Sequence, residues 1–422
     1  MQIISWNVRG VNGAKKQKMI RRLKQQHQLD MLFLQETKIA KLEEKTVSLL
    51  WGKEQVHWSS LDSVGRSGGL LTMWSPEFFQ LSAEIKGRGF IHVRGKVSVG
   101  AQETEMNFIN VYAPSTEKDK LLLWEELMEV RNSNGGGWII GGDFNAVIHE
   151  EERRGSTFNC KEADQFFEFI QAMGVMDMPL IGRKFTWSNK LGASRLDRFL
   201  VSPDMVSLCP NLKQWGLSKD LSDHAAIALK EEAKNWGMKP FRFINAWLEH
   251  PGLGKLIKET WSQPGEVGWK GYIIQRKLAK IRRRLGAWNK MAFGNVGEKL
   301  KETKLELEKM DKLQEQRILS PEEQLRRVAL RTRIWHLESQ EERIWRQKSR
   351  VNWMRSGDQN TRFFHRMATW RSKKNSIESL VFEGRRVDEP GELKSEIRRF
   401  FLEQFLKKTH VHGLLKRFSS EL

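Results

Sequence analysis

The sequence predicts an α/β domain over residues 1–230 and a basic, mainly helical region over residues 231–422. Two observations predict this division. Up to about residue 230, short apolar runs typical of strands alternate with amphipathic runs typical of helices, an order that favours a layered α/β domain with mixed sheets. Beyond that point strand-like runs are rare, and densely charged stretches with helical spacing replace them.

Eight strand-like runs and three helix-like runs make up the first region. The strand candidates are short apolar runs, at residues 1–7, 29–35, 69–74, 90–97, 106–111, 138–142, 194–201 and 224–229. The helix candidates have apolar residues at helical spacing, at residues 15–27, 117–131 and 162–173. Three glycines at residues 135–137 predict a turn before the strand that leads to Asp143.

The second region contains three long helix candidates, at residues 271–289, 296–317 and 321–353. The last of them has a strong start signal. Ser320 suits the N-cap position, Pro321 the first helical position and Glu323 the third. These segments predict an antiparallel helical arm.

The formal charge is distributed unevenly. The whole chain carries +20, but residues 1–230 contribute only +3, with 30 Lys and Arg against 27 Asp and Glu, and the remaining residues contribute +17. Such asymmetry indicates a polyanionic partner, most commonly nucleic acid. We expect DNA as the partner, with RNA as a second candidate for the basic region. The alternative is a solvated helical surface that happens to be basic.

Cysteine content and hydropathy limit the cellular compartments in which we expect the protein. Cys160 and Cys209 have no zinc-binding spacing and provide no disulfide framework, which fits a reducing environment. No run of about 18 apolar residues occurs, so we expect no membrane span. Met1 leads directly into a strand-like run, so we expect no secretion signal. The predicted location is the nucleus, or otherwise the cytoplasm.

Polar residues of particular types follow the predicted strands. Hydrolysis of a phosphodiester needs a metal to neutralise phosphate charge, a base to position water, and a group to stabilise developing charge. Hard Mg²⁺ prefers oxygen ligands. Such a site requires Asp, Glu, Asn and His side chains at the ends of several strands, and this chain offers Asn7, Glu36, Tyr112, Asp143, Asn145, Asp197, Asp223 and His224.

Each of these residues has an ordinary explanation when it is taken alone. Asparagine and aspartate cap turns, Asp197 could pair with Arg195 or Arg198, Tyr112 could be a core aromatic, and a single histidine is usually structural. Their occurrence together, at five or six strand ends in this order, is much harder to assign to turns.

Six short motifs resemble those of the endonuclease/exonuclease/phosphatase superfamily, which includes apurinic endonucleases and pancreatic-type deoxyribonucleases. The resemblance covers about residues 1–230. The motifs are Trp6-Asn7, Gln35-Glu36-Thr37, Asn110-Val111-Tyr112-Ala113-Pro114, Gly142-Asp143-Phe144-Asn145, Arg195-Leu196-Asp197-Arg198-Phe199-Leu200 and Ser222-Asp223-His224. The resemblance implies a four-layer α/β sandwich, in which helices flank two packed β-sheets.

The resemblance also implies a divalent metal, Mg²⁺ with Mn²⁺ as a substitute. Glu36 would be the main ligand, with Asn7 beside it and Asp223 at the metal site through water. The residues implied at the metal site as a whole are Asn7, Glu36, Asp143, Asn145, Asp223 and His224.

The catalytic roles that the resemblance implies belong to five residues. Asp143 would align or activate the attacking water, and Asn145 would steady the phosphate. Tyr112 would hydrogen-bond a phosphate oxygen. His224 would contact the scissile phosphate, oriented by Asp197, since a carboxylate behind an imidazole fixes its tautomer and favours its protonated form.

One position departs from the pattern. Many members of the superfamily carry an acid two residues after the first-strand asparagine, where this chain has Arg9. The departure leaves the number of metal ions open, and we assign Arg9 no catalytic role. Either one acid fewer surrounds the metal, or Arg9 contacts a DNA phosphate.

Three stretches resemble plant non-long-terminal-repeat (LINE-type) retrotransposon proteins. They are Trp6-Asn7-Val8-Arg9-Gly10, then Phe185-Thr186-Trp187 followed by Leu196-Asp197-Arg198-Phe199, and Trp353-Met354-Arg355-Ser356-Gly357-Asp358-Gln359-Asn360-Thr361-Arg362-Phe363-Phe364-His365. In such proteins an endonuclease nicks DNA and a basic connector leads to a reverse transcriptase. The 422 residues show no paired-aspartate polymerase signature. We therefore expect the endonuclease and connector, truncated before a reverse transcriptase.

The sequence thus predicts a Mg²⁺-dependent endonuclease that nicks DNA. Three alternatives remain open: an apurinic-type repair endonuclease, an inositol-phosphate or sphingomyelin phosphodiesterase, and a catalytically inactive remnant that binds nucleic acid.

Overall fold

A computed structural model describes residues 1–52, 54–64, 67–99, 102–232, 236–237, 240–350 and 361–409. The chain forms two compact units, and each is considered by itself. The first comprises Met1–Trp236 together with Lys373–Leu422, and the second comprises Gly237–Ser372. The predicted boundary near residue 230 stays a prediction. Residues 353–360 of the retrotransposon-like stretch lie outside the described residues.

Among the described residues, sixteen strands and five α-helices occupy the amino-terminal part of the first unit. The strands are β1 (Gln2–Asn7), β2 (Met31–Gln35), β3 (His57–Val64), β4 (Ser67–Trp74), β5 (Phe79–Gly87), β6 (Phe90–Val99), β7 (Gln102–Tyr112), β8 (Gly137–Asp143), β9 (Arg153–Arg154), β10 (Met176–Asp177), β11 (Leu180–Ile181), β12 (Trp187–Ser188), β13 (Ala193–Ser194), β14 (Asp197–Val201), β15 (Leu212–Gly216) and β16 (Ile227–Glu231). The helices are α1 (Ala14–His27), α2 (Glu44–Trp51), α3 (Glu117–Asn132), α4 (Cys160–Ala172) and α5 (Pro203–Leu208).

Two stacked sheets form the centre of this unit. The first has seven strands in the order β11-β15-β16-β1-β2-β4-β3, and the second has six in the order β10-β14-β8-β7-β6-β5. The sheets face each other through β1, β2 and β4 on one side and β7 and β8 on the other. Apolar residues of α1 and α2 pack on the first sheet, and those of α3 and α4 pack on the second. The predicted four-layer α/β sandwich is confirmed.

A polar cluster joins the two sheets inside the apolar core. The Asn110 amide of β7 donates to the backbone oxygens of Leu34 and Leu71, and its oxygen accepts from Gln35 Nε2 at 2.7 Å. Gln35 Nε2 also donates to Ser5 Oγ. Buried polar groups are costly unless they are paired, so these bonds favour one relative position of the sheets.

The segment after the helical region returns to the first unit. It forms a hairpin of β17 (Leu380–Phe382) and β18 (Arg385–Val387), and a helix follows that begins at Pro390. The Nζ atom of Lys213 on β15 forms a buried ion pair with Glu378 at 2.5 Å. The Arg386 guanidinium of β18 lies 5.2 Å from the ring centre of Trp215, which like Lys213 belongs to β15. Residues near this hairpin therefore belong to the packing of the first unit.

The remaining helices are α6 (Pro251–Trp261), α7 (Lys270–Trp288), α8 (Val296–Gln316), α9 (Pro321–Ser349), α10 (Thr361–Lys374) and α11 (Pro390–Thr409). The ion pairs Lys304–Glu338 and Asp311–Arg327 join α8 and α9 in opposite chain order, so these two helices are antiparallel. The predicted start of α9 is confirmed, because Ser320 and Glu323 form a reciprocal capping box with Pro321 between them. Within the described residues, every helix is too short or too polar to cross a bilayer.

A buried ionic cluster stabilises the second sheet beside β14. Arg198, which is fully buried, binds Glu152 and Asp177, and Arg195 binds the same two carboxylates. Burial alone would raise the pKa of Glu152, but the neighbouring charge of Arg198, supported by Arg195, lowers it to about 2. These two arginines therefore pair with acids other than Asp197.

We expect this cluster to contribute stability that depends on pH. Because the pKa of Glu152 is lower in the folded chain than in the unfolded chain, its contribution is present above about pH 4.5 and is lost as the pH falls toward 2. The shift corresponds to a free energy on the order of 3 kcal/mol. Glu152→Gln should therefore lower the free energy of urea unfolding at pH 7, and by less at pH 3. Equal losses at both pH values, or a similar loss for the exposed control Glu77→Gln, would contradict this assignment.

The Lys213–Glu378 pair provides a test of how the carboxyl-terminal segment packs. Lys213→Met should destabilise the protein by about 3–5 kcal/mol, because Glu378 is left buried without its ion partner. The double variant Lys213→Met, Glu378→Leu should regain most of that loss. Urea unfolding of both variants measures the coupling, and equal destabilisation of the single and double variants would mean that the two charges do not interact.

Candidate metal-dependent hydrolase site

The ends of strands from both sheets meet at one edge of the sandwich. The parallel pairing of β1 with β2 aligns Asn7 with Gln35, so Asn7 and Glu36 lie at neighbouring carboxyl ends. The parallel pairing of β7 with β8 aligns Tyr112 with Asp143. Strand β14 is antiparallel to β8 and begins at Asp197, opposite Asp143.

Gly142 lets β8 approach β7 closely at this edge. Its φ angle is 156°, and a Cβ atom there would overlap the backbone oxygen of Val111. Glycine adopts such a backbone conformation without steric cost. The Gly142-Asp143 motif therefore has a structural cause, since the glycine allows the pairing that presents the aspartate.

Asn7 connects the two sheets directly. Its amide nitrogen donates to Glu36 Oε1 at 3.0 Å and to Asp143 Oδ2 at 2.9 Å. Its amide oxygen accepts from the backbone nitrogen of Arg9 at 3.2 Å. In this arrangement Asn7 orients both carboxylates as a hydrogen-bond donor, and its assignment as a metal ligand stays a prediction.

His224 and Asp197 form a buried pair behind Asp143. His224 Nδ1 lies 2.9 Å from Asp197 Oδ2, and His224 Nε2 lies 3.7 Å from Asp143 Oδ2. The backbone oxygen of His224 accepts from the Trp6 indole, which fixes its segment against β1. The imidazole therefore presents Nε2 toward Asp143 while Nδ1 is held by Asp197.

The surrounding charges determine the protonation of this group. Burial opposes the charged form of His224, but Asp197 and then Asp143 favour it and raise its pKa to about 9. Burial also raises the pKa of Asp143, and the neighbouring Asp197 adds to the rise while His224 opposes it. At neutral pH the imidazole is therefore a cation that can donate a proton or a hydrogen bond.

Tyr112 and Asn145 lie on either side of the carboxylates. The Tyr112 hydroxyl donates to Glu36 Oε1 at 3.0 Å, and burial, followed by the charge of Glu36, raises its pKa. Asn145 has a left-handed backbone with φ 46° and donates its backbone N–H to Asp143 Oδ1 at 3.0 Å. The buried Lys120 ammonium donates to the backbone oxygen of Asn145 at 2.6 Å, which braces this turn.

Asp223 is the carboxylate at the rim, and its partners include residues that the sequence did not single out for the site. Its Oδ2 atom accepts from the Trp187 indole at 2.9 Å and forms an ion pair with Arg9 Nη1 at 2.8 Å. Lys38 Nζ lies 3.7 Å from Glu36 Oε2. Trp187 belongs to a motif that was used only as part of a resemblance to retrotransposon proteins. That resemblance did not predict that Trp187 lies at the site.

The structure therefore brings all eight sequence-predicted residues to one edge, and their individual roles stay predictions. The side chains that face the edge are mainly oxygen donors, which is the chemistry that Mg²⁺ selects. Ligand atoms of Asp143, Asp197 and His224 lie within 4.8 Å of one another. Since His224 is protonated at neutral pH, Glu36 is a better candidate than this trio for holding a cation.

Comparisons with known proteins find several that are similar to this chain. An exodeoxyribonuclease of Bacillus subtilis (strain 168) is 28% identical over 262 residues, which cover 54% of this chain and 98% of that protein. The AP endonuclease LMAP from Leishmania major is 18% identical with a TM-score of 0.42, covering 54% of this chain and 86% of that chain. The endonuclease domain of TRAS1, a telomere-specific non-LTR retrotransposon, is 14% identical with a TM-score of 0.41, covering 54% and 96%.

The family model described as the endonuclease/exonuclease/phosphatase family matches residues 4–224, which is more than half of the chain. All eight of the residues at the sheet edge lie within this range. The chain belongs to the endonuclease/exonuclease/phosphatase family.

Proposed function

We propose that this protein is a Mg²⁺-dependent phosphodiesterase that nicks DNA, of the kind that non-LTR retrotransposons encode. The observation that carries the proposal is the hydrogen-bonded set of Glu36, Asn7 and Asp143 beside a cationic His224. Family membership and the exodeoxyribonuclease relative support a nucleic-acid substrate. The retrotransposon assignment is supported by the motifs of the sequence alone.

Each residue has a role that its geometry allows. Glu36 would hold Mg²⁺, which when bound supplies positive charge to the phosphate. Asp143 has a raised pKa and two hydrogen-bond donors that orient it, so it suits acceptance of a proton from water. His224 would donate from Nε2 to the phosphate or the leaving oxygen, while Asp197 keeps its other nitrogen protonated.

Tyr112 and Asn145 would orient the substrate. The Tyr112 hydroxyl keeps its proton because its pKa is raised, so it would donate to a phosphate oxygen by exchanging its bond to Glu36. The Asn145 amide nitrogen already donates to the backbone oxygen of Ala113 at 2.7 Å. The second N–H of this amide is the group of Asn145 that can donate to a phosphate oxygen.

DNA binding is further supported by the composition of α7. This helix carries seven Lys and Arg residues and no Asp or Glu between Lys270 and Trp288. Arg282 and Arg283 are exposed on it, beside the exposed apolar side chains of Ile274 and Leu278. A basic helix of this kind attracts the phosphate backbone without sequence preference. The same surface would accept RNA, and a nuclear location would suit either partner.

The first experiment measures conversion of supercoiled plasmid to relaxed circles. The full-length protein should nick with Mg²⁺ and stop in EDTA. Asp143→Asn should lower the rate by about 10²–10⁴-fold, the range typical for loss of acid–base catalysis. Glu36→Gln should also lower the rate, because it removes the charge that would hold the metal. The matched control Asp164→Asn removes an exposed carboxylate of α4 and should leave the rate unchanged.

The other outcomes separate the alternatives. Plasmid binding without nicking by well-folded protein would indicate an inactive remnant. Cleavage confined to an oligonucleotide with an abasic site would indicate a repair endonuclease. Activity on a lipid or inositol phosphodiester, with none on DNA, would overturn the proposed substrate.

The basic helix can be tested by the salt dependence of DNA binding. Arg282→Ala, Arg283→Ala should weaken binding and lower the slope of log affinity against log salt by roughly 0.9 for each lost phosphate contact. The control Lys304→Ala, Lys312→Ala removes the same charge from lysines that are paired with Glu338 and Glu308. An unchanged slope in the first variant, or equal slopes in both, would mean that α7 does not contact DNA.

A further inference from the structure

Arg9 extends between the two carboxylates at the rim of the site. Its Nη1 atom lies 2.8 Å from Asp223 Oδ2, and its Nε atom lies 3.8 Å from Glu36 Oε1. The Arg9 side chain is half exposed, whereas that of Glu36 is only 10% exposed. The guanidinium therefore lies at the mouth of the site and covers the outer side of Glu36.

The backbone of Arg9 is held in an uncommon conformation. Its φ angle of 48° lies in the left-handed region, where a non-glycine residue is disfavoured unless its surroundings support it. The supporting bonds are a donation from its N–H to Asn7 Oδ1 at 3.2 Å and donations from Lys16 Nζ to the carbonyls of Val8 and Arg9. Gly10 N–H adds a bond to the backbone oxygen of Glu36 at 2.6 Å. The backbone that carries this side chain is therefore held in place by Asn7, Lys16 and Glu36.

One carboxylate oxygen of Asp223, the one on the side of Arg9, is already engaged. Its Oδ2 atom already accepts from both Arg9 and the Trp187 indole, and Ser222 Oγ lies 3.5 Å from Oδ1. A divalent ion between Glu36 and Asp223 would have to displace the guanidinium or lie beside a positive charge. Lys38, at 3.7 Å from the other oxygen of Glu36, adds a second positive charge on the same side.

We propose that Arg9 is a positioning residue that occupies the space between Glu36 and Asp223 and so limits the site to one divalent ion. The inference rests on the proposed function, because it takes Glu36 as the residue that holds the ion. Asp223 then acts through Arg9: it anchors the guanidinium rather than binding the metal. Glu36 would then hold a single ion, with Asn7 and Asp143 as its neighbours on the side away from Arg9.

The test counts Mn²⁺ ions bound to the full-length protein, by calorimetry and by electron paramagnetic resonance of the free ion. The wild type should bind one Mn²⁺ at the site. Arg9→Asp should bind two, because the positive charge is replaced by a third carboxylate at the rim. Arg9→Lys keeps the charge and should still bind one, and Arg9→Gln provides a neutral variant should the aspartate prevent folding, with a weaker second ion expected.

A second change locates the added ion. Combining Arg9→Asp with Asp223→Asn should remove the additional Mn²⁺ and leave the first, since Asp223 lies beside position 9 and Glu36 is kept. Nicking by Arg9→Asp should depend on Mn²⁺ concentration with two saturation phases, where the wild type shows one. A structural role for Arg9 alone would change stability but would leave the ion count at one.

The outcomes distinguish this inference from the proposed function. A wild type that nicks DNA and binds one ion, with Arg9→Asp and Arg9→Gln also binding one, would overturn the role of Arg9 alone. Two ions in the wild type would overturn it as well. A wild type that binds no Mn²⁺ and cleaves no DNA would overturn the proposed function and this inference together.

Discussion

The geometry of the site depends on the spacing between the two sheets. Glu36 comes from the first sheet and Asp143 from the second, yet both lie within 3.0 Å of one amide nitrogen, that of Asn7. A side chain as short as asparagine can bridge two sheets only where their packing is fixed. The bonds of Asn110 to both sheets supply that constraint within the core. A shift of about 1 Å in this packing would be enough to disturb a reacting geometry.

Buried charge imposes a second constraint on the same strands. Asp143 and Asp197 are almost completely buried, and two such carboxylates are unfavourable unless a cation accompanies them. His224 provides that cation, so the group that would contact the phosphate also stabilises the folded state. One residue beyond Asp197, Arg198 faces a separate pair of acids. Alternation along β14 thus sends one charged side chain to the site and the next into a structural cluster.

The sequence predicted the central strands well and the edge strands poorly. Strands β1, β2 and β8 are buried along most of their length, and their apolar runs identified them. Strand β5 was missed although Phe79, Leu81, Ala83 and Ile85 alternate with polar residues in the manner of a strand; it lies at an edge, and only its first residue is buried. The predicted strand at residues 194–201 is instead two strands, β13 and β14. At the break, the backbone N–H groups of Leu196 and Asp197 bond the hydroxyl of Thr186 instead of a strand neighbour.

Contacts between residues that are distant along the chain could not be predicted from the sequence either. The eight polar residues could be predicted to form one site because each lies near the start or the end of a strand. Neighbouring parallel strands end at the same edge of a sheet. The contact of Arg9 with Asp223, and that of Lys213 with Glu378, require knowledge of which strands are adjacent. The sequence singled out Arg9 because it stands where many members of the superfamily carry an acid, but only the structure shows that its guanidinium meets Asp223.

The uneven charge of the chain follows from the chemistry proposed for the site. Cations placed close to Glu36 compete with a divalent ion, as Arg9 and Lys38 already do in part. An enzyme that needs both a metal and a strong attraction to DNA therefore gains by placing most of its positive charge in a different part of its sequence. The amino-terminal 230 residues carry a net charge of only +3, whereas α7 alone carries seven basic residues and no acid. On this view the site selects one ion and one phosphate, and the helical region supplies nonspecific affinity, which is screened by salt.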